Sequence, residues 1–93
     1  MVRRSRLDIY FDVLKAIDNG TDILTRIMYE ANLSWISICD VFESLIKSDF
    51  IRAHKKKHLT RYYITEKGRN ALGYHLKSLE GLIKSKGYTN RFS

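Results

Sequence analysis

Five cationic side chains, Arg52, Lys55, Lys56, Lys57 and Arg61, fall between positions 52 and 61 with no acid among them, and His54 and His58 bracket the lysine trio. Cations set this close repel one another, and the chemistry they share is neutralisation of closely spaced phosphates with release of counterions. The competing reading is a solvated basic loop that keeps a small protein dispersed. His54 and His58 have no cysteine or acid beside them and read as supplementary phosphate donors, so no metal site is expected. Elsewhere the chain lacks a glycine-rich phosphate loop, a paired-carboxylate motif and a nucleophile elbow, so neither catalysis nor a cofactor is expected. Cys39 is the sole cysteine, which excludes an intrachain disulfide and a multi-cysteine zinc site. It reads either as a small, partly buried apolar residue or as an exposed thiol open to oxidation or intersubunit pairing.

The cationic segment needs a scaffold, and the residues around it supply one. Phe50 to Arg52 and Thr60 to Ile64 are rich in aromatic and β-branched residues and predict an antiparallel pair closed by the lysine tip. Arg61 and Tyr63 would share one face, Tyr62 and Ile64 the other. Upstream, Ser34 is placed to cap a helix from Trp35 to Lys47 whose inward stripe is Ile38, Val41, Phe42, Leu45 and Ile46. Trp35, Ser37, Asp40, Ser44 and Lys47 are left on or near its opposite side. Before it, Thr21 or Asp22 would cap a shorter helix running through Ala31, with Ile23, Ile27 and Met28 turned inward, and Asn32 ends it. Ser5 and Asp8 resemble a capping box that opens a first helix, Arg6 to Asp18, carrying Leu7, Tyr10, Phe11, Leu14 and Ile17 on one face and stopped by Asn19-Gly20. Helix, turn, helix, charged hairpin is the order of a winged helix, so the expected fold class is α+β, mostly helical, with a two-stranded wing.

A last helix is predicted from Thr65-Glu66 to about Lys86 despite Gly68, Gly73 and Gly81. Leu72, Leu76, Leu79 and Ile83 recur at the spacing of a coiled-coil seam, which predicts a homodimer; a helix folded back on its own domain is the alternative. With 93 residues and a formal net charge of +7, the chain has room for one domain, expected to be ordered over 5–86 with a polar tail at 87–93. No apolar run approaches the ~18 residues of a membrane span and the basic start lacks a secretory pattern, so no membrane partner and a cytoplasmic location are expected. Whether a small-molecule effector binds is not legible in the residues.

Candidate contacts to nucleic acid follow from this layout. Ser34, Ser37 and Ser44 can hydrogen-bond phosphates or base edges, and Lys47 reaches the backbone. Trp35 either packs on a thymine methyl or sugar or staples the preceding turn. Asp40 and Glu43 sit awkwardly beside DNA, where acids accept only from cytosine amino groups and otherwise discriminate against wrong sequences.

Two residue blocks, TRIMYEANLS at 25–34 and YYITEKG at 62–68, together with the Phe50-Ile51 pair, give the chain a family resemblance. From Leu7 to Ile83 it resembles the small archaeal winged-helix regulators and their counterparts in viruses of hot-spring archaea, the spindle-shaped viruses among them, related in architecture to multiple-antibiotic-resistance-type repressors. The resemblance implies a homodimer through the first and last helices, which brings Leu7, Tyr10, Phe11, Leu72, Leu76, Leu79 and Ile83 to the interface. It further implies double-stranded DNA as partner, with the recognition helix Ser34 to Lys47 in the major groove, Thr25 and Arg26 near phosphates, and His54 to His58 plus Arg61 gripping the backbone. The function expected is site-specific transcriptional regulation, with a sequence-indifferent architectural DNA binder or a protein-interaction module as alternatives. The acidic recognition helix and the three glycines of the last helix depart from the family pattern.

Overall fold

The computed structural model describes residues 4–85, and side chains as far as Ser78. Four helices and one hairpin follow in the order α1 (Arg6–Asp18), α2 (Leu24–Glu30), α3 (Trp35–Lys47), β1 (Ile51–Lys56), β2 (Leu59–Ile64) and α4 (Glu66–Ser85). The fold class is therefore the expected one, mostly helical with a two-stranded antiparallel sheet.

Local chemistry places the helix ends. At α1 the expected capping box is complete: Asp8 N–H donates to Ser5 Oγ at 3.1 Å and Ser5 N–H donates to the Asp8 carboxylate at 3.2 Å. Hydrogen bonding by Ser5, through its backbone N–H first and then its side chain, holds the Asp8 carboxyl below its usual range. Helices α1, α2 and α3 all end in the same way, with a left-handed residue and a pair of reversed hydrogen bonds. After α3, Asp49 takes φ 63° while Phe50 N–H reaches Leu45 O at 2.9 Å and Asp49 N–H reaches Ile46 O at 3.0 Å. Asn32 at φ 55° and Gly20 at φ 103° do the same for α2 and α1; Asn and Asp are the non-glycine residues that tolerate this region best.

The start of α2 differs from the sequence expectation. The helix begins at Leu24, and Ile23, in an extended conformation, precedes it without any side-chain cap. Both expected caps are engaged elsewhere: Asp22 binds Arg61 of β2 at 2.7 Å and Thr21 hydrogen-bonds Glu30. Tyr62 N–H also donates to Asp22 O at 2.9 Å, so Asp22 is tied to the hairpin by both its backbone and its side chain instead of capping the helix.

Val13, Leu14, Ala16 and Ile17 of α1, Ile27, the inner face of α3 (Ile38, Val41, Phe42, Leu45), Ile51 and Leu72 form one core. Phe42 meets Tyr62 edge to face with centroids 4.7 Å apart, which fastens the hairpin base to α3. Ile46, expected on the inward stripe, is 43% exposed because it lies at the stripe's edge. At the junction of β2 with α4, Thr65 Oγ1 donates to Asp49 O at 2.6 Å and accepts from Gly68 N–H at 3.0 Å. A side chain at Gly68 would overlap the Phe50 carbonyl. The ITEKG sequence thus owes its threonine and its glycine to a tight crossing of two backbone segments.

The first turns of α4 fold back on α1. His75 stacks flat on Phe11 at 3.9 Å between centroids, and Leu72 is 3% exposed in the chain's own core. Leu72 and Phe11, expected at a dimer interface, are thus committed to intrachain packing, whereas Leu7 (57%) and Leu76 (44%) remain exposed. The side chains of Leu79 and Ile83 lie outside the described residues, as does the polar tail at 87–93.

Candidate nucleic-acid interface

The hairpin register sorts its cations by face. Ile51 pairs with Ile64, Ala53 with Tyr62 and Lys55 with Thr60; the alternate pairs are Arg52 with Tyr63, His54 with Arg61 and Lys56 with Leu59. Directly opposed residues share a face, so the first set is the inner face, anchored by buried Ile51, and the second is the outer face. The lysine trio is consequently divided: Lys55 points to the inner side beyond the core, Lys56 to the outer side, and Lys57 sits with His58 in a two-residue tip. The outer face and tip line a shallow cleft of about 650 Å³ formed by His54, Lys56, Lys57, His58, Leu59, Arg61 and Tyr63. Lys57 takes φ 58°, a left-handed conformation that two-residue hairpin loops demand and that Gly, Asn or Asp normally fill. A lysine there costs roughly 1 kcal/mol of backbone strain, so positive charge is kept at the tip against local preference.

Electrostatics narrows the working set. Among the described residues there are five ion pairs, Arg4–Asp12, Arg6–Asp40, Arg52–Asp49, Arg61–Asp22 and Arg69–Asp18, and every cation in them is arginine. Arg52 and Arg61 are thus partly neutralised within the chain, and the Asp22 hydrogen bond raises the Arg61 pKa above its ordinary value. Lys55, Lys56 and Lys57 form no ion pair among the described residues and are exposed.

On α3, Ser34 caps the helix by accepting Ser37 N–H at 3.2 Å, and its hydroxyl donates to Ser37 Oγ at 3.0 Å. Replacing Ser34 with Ala removes that acceptor, and a loss of about 1 kcal/mol of stability is expected in chemical denaturation. Ser44 is half-buried and bonded to Tyr10, so it faces α1 and not the outer side. Arg6 Nε–H donates to Tyr10 Oη at 2.7 Å and a terminal N–H of Arg6 donates to Asp40 at 2.6 Å. Hydrogen bonds with Ser44, then Arg6, lower the Tyr10 pKa, and those to Tyr10, then Asp40, raise that of Arg6. The acid that looked out of place on this helix is therefore a brace to α1, and the tyrosine expected at a dimer interface belongs to the same network. Thr25 and Arg26 are exposed on the first turn of α2, and Lys47 is exposed at the end of α3. Trp35 is 55% exposed and Ile36 82% exposed. Ile36 is not among the contacts expected from the sequence, yet at about 100° per residue it falls opposite the buried stripe. Cys39 is exposed.

The order of elements, the capped α2–α3 turn and the basic hairpin match known proteins. The family model described as "Winged helix-turn-helix" matches residues 3–86. The chain belongs to the winged helix-turn-helix family. Among curated proteins it is similar to uncharacterized protein MJ0287 of Methanocaldococcus jannaschii, 37% identical over 67 residues that cover 72% of this chain and 65% of that one. It is also similar to MJ0290 of the same organism, 39% identical over 51 residues covering 55% and 24%. The chain thus spans just under two thirds of the first relative's length and about a quarter of the second's. Among solved structures, Sso10a-2, a DNA-binding protein from Sulfolobus solfataricus, superposes with TM-score 0.69 at 24% identity over 96% of both chains. A putative transcriptional regulator from Pseudomonas aeruginosa gives 0.78 at 18% over 95% of this chain and 63% of that one. Lactococcus lactis ZitR in complex with DNA gives 0.70 at 14% over 99% and 64%. At these identities the likeness is one of fold.

Proposed function

We propose that this winged helix-turn-helix chain is a site-specific transcriptional regulator that binds double-stranded DNA as a homodimer, with α3 in the major groove and the wing on the flanking phosphate backbone. The observation that carries the reading is the lysine trio: exposed, outside every ion pair among the described residues, and set at the end of the hairpin that follows the helix-turn-helix unit, with Lys57 in its strained tip. Neutral or basic partners would not need that charge, which suits a polyanion. Thr25, Arg26, Lys47, His54 and His58 are the further backbone contacts in this reading, with Arg61 a weaker one because of Asp22. Exposed Leu7, Leu76 and Tyr74 (77%) on α1 and α4 support pairing of two copies through these helices. A two-fold dimer then favours half-sites about one helical turn, ~10 base pairs, apart. The archaeal source of the curated relatives supports an archaeal setting, and the cytoplasm goes with the DNA-binding reading. A viral source and the multiple-antibiotic-resistance-type lineage rest on the residue blocks alone and are carried as part of the proposal. No helix among the described residues is long and apolar enough to cross a membrane.

A second reading, a winged-helix protein-interaction module, is favoured by one observation, the exposed apolar residues Trp35, Ile36 and Ile46 on α3. Selection of bound fragments from a random duplex pool, with sedimentation of the complex, separates the possibilities. A pseudo-palindromic motif bound by two chains is the expected result. Even coverage of all sequences would indicate an architectural coater, and no retention would leave the interaction module.

A further inference from the structure

The outward side of α3 carries unusual chemistry for a helix that enters a groove. With Ile38, Val41, Phe42 and Leu45 buried, the opposite side at about 100° per residue is centred between Ile36 and Lys47. Its first turn offers Ile36 at 82% exposure, while Trp35 at 55% and Ile46 at 43% form an apolar flank between that side and the buried stripe. The helix holds no Arg, Asn or Gln, and its one cation, Lys47, stands at the far end. Bidentate reading of guanine draws on Arg or Lys and that of adenine on Asn or Gln, so the first turn of α3 has neither. Of its two acids, Asp40 is held by Arg6 at 2.6 Å, and Glu43, beyond the first turn, repels the acceptor-only edge of guanine and can accept only from a cytosine amino group. One base-edge group remains that exposed hydrocarbon addresses favourably, the C5 methyl of thymine.

We infer that Trp35 and Ile36 are specificity-determining residues that recognise thymine by covering its C5 methyl, so that the half-site facing the start of α3 is selected for thymine. This rests on the DNA-binding reading above. Duplex DNA is the occupant the chain's charge favours, because the unpaired wing lysines follow on the same continuous segment and the formal net charge is +7. The exposed position of Ile36 means that its side chain contributes little to folding, which frees it for recognition.

The test replaces thymine with deoxyuridine in a duplex selected by the protein, removing the methyl and leaving the pairing edge intact. Each covered methyl is worth roughly fourfold in affinity, so the uridine duplex is expected to bind the wild-type chain about fourfold more weakly per contacted position, and uridine placed outside the footprint has no effect. For Ile36→Ala the thymine-to-uridine ratio falls toward one while the melting temperature stays at the wild-type value. Equal affinity of the wild type for the two duplexes, in a protein whose wing-lysine variant still binds more weakly, overturns the inference and leaves the DNA-binding reading standing. A pool that yields no preferred sequence also overturns it, as does an Ile36→Ala variant that keeps its full thymine preference but loses a protein partner. Failure of both wild type and variants to retain any duplex removes the DNA-binding reading with it.

Discussion

Replacing Lys55, Lys56 and Lys57 together with Ala is expected to weaken DNA binding about a hundredfold at ~0.15 M salt, by a similar factor for every sequence. The magnitude follows from counterion release: each phosphate contact contributes about 0.9 to the slope of log affinity against log salt, so three contacts flatten it by nearly three units. The hairpin register refines the expectation. Lys56 lies on the outer face and Lys57 at the tip, whereas Lys55 opposes Thr60 on the inner face. Lys55→Ala alone should therefore change the slope less than Lys56→Ala. Binding titrations across a salt series measure both, and an unaltered slope in the triple variant would remove the wing from the mechanism. Folding is not at stake in this experiment, because none of the three lysines is paired or buried among the described residues.

The largest stability effect is expected at Gly68. A methyl group there would run into the Phe50 backbone carbonyl and the Ile64 side chain, and backbone cannot yield as the end of a flexible side chain can. Gly68→Ala should cost about 2–3 kcal/mol, lowering the melting temperature by roughly 10–20 °C in a domain of this size. Gly73, five residues on in the same helix, has nothing within 4 Å of the corresponding position. Gly73→Ala should stabilise by about 0.5–1 kcal/mol, since alanine loses less backbone entropy in a helix. Thermal denaturation of the two variants side by side checks both signs; a neutral Gly68→Ala would mean that the junction between β2 and α4 is looser than the geometry requires.

These two glycines mark a boundary between what the residues disclose and what packing decides. By itself the sequence determined the helix-turn-helix and hairpin order, the bounds of α1 and α3, the Ser5–Asp8 and Ser34 caps and the alternation of β2, because periodicity and capping are local rules acting within a few residues. It also placed the lysine cluster at the hairpin end. Only the tertiary structure decided which charges are available, since Arg61 meets Asp22 and Arg6 meets Asp40 across 39 and 34 residues of chain. The same ties engaged Asp22 away from the start of α2 and turned Asp40 toward α1, while apolar packing of α4 on α1 drew Leu72 into the core. No local pattern encodes such pairings; they follow from burying one apolar face of each helix against the others, which fixes the partner each remaining polar side chain can reach.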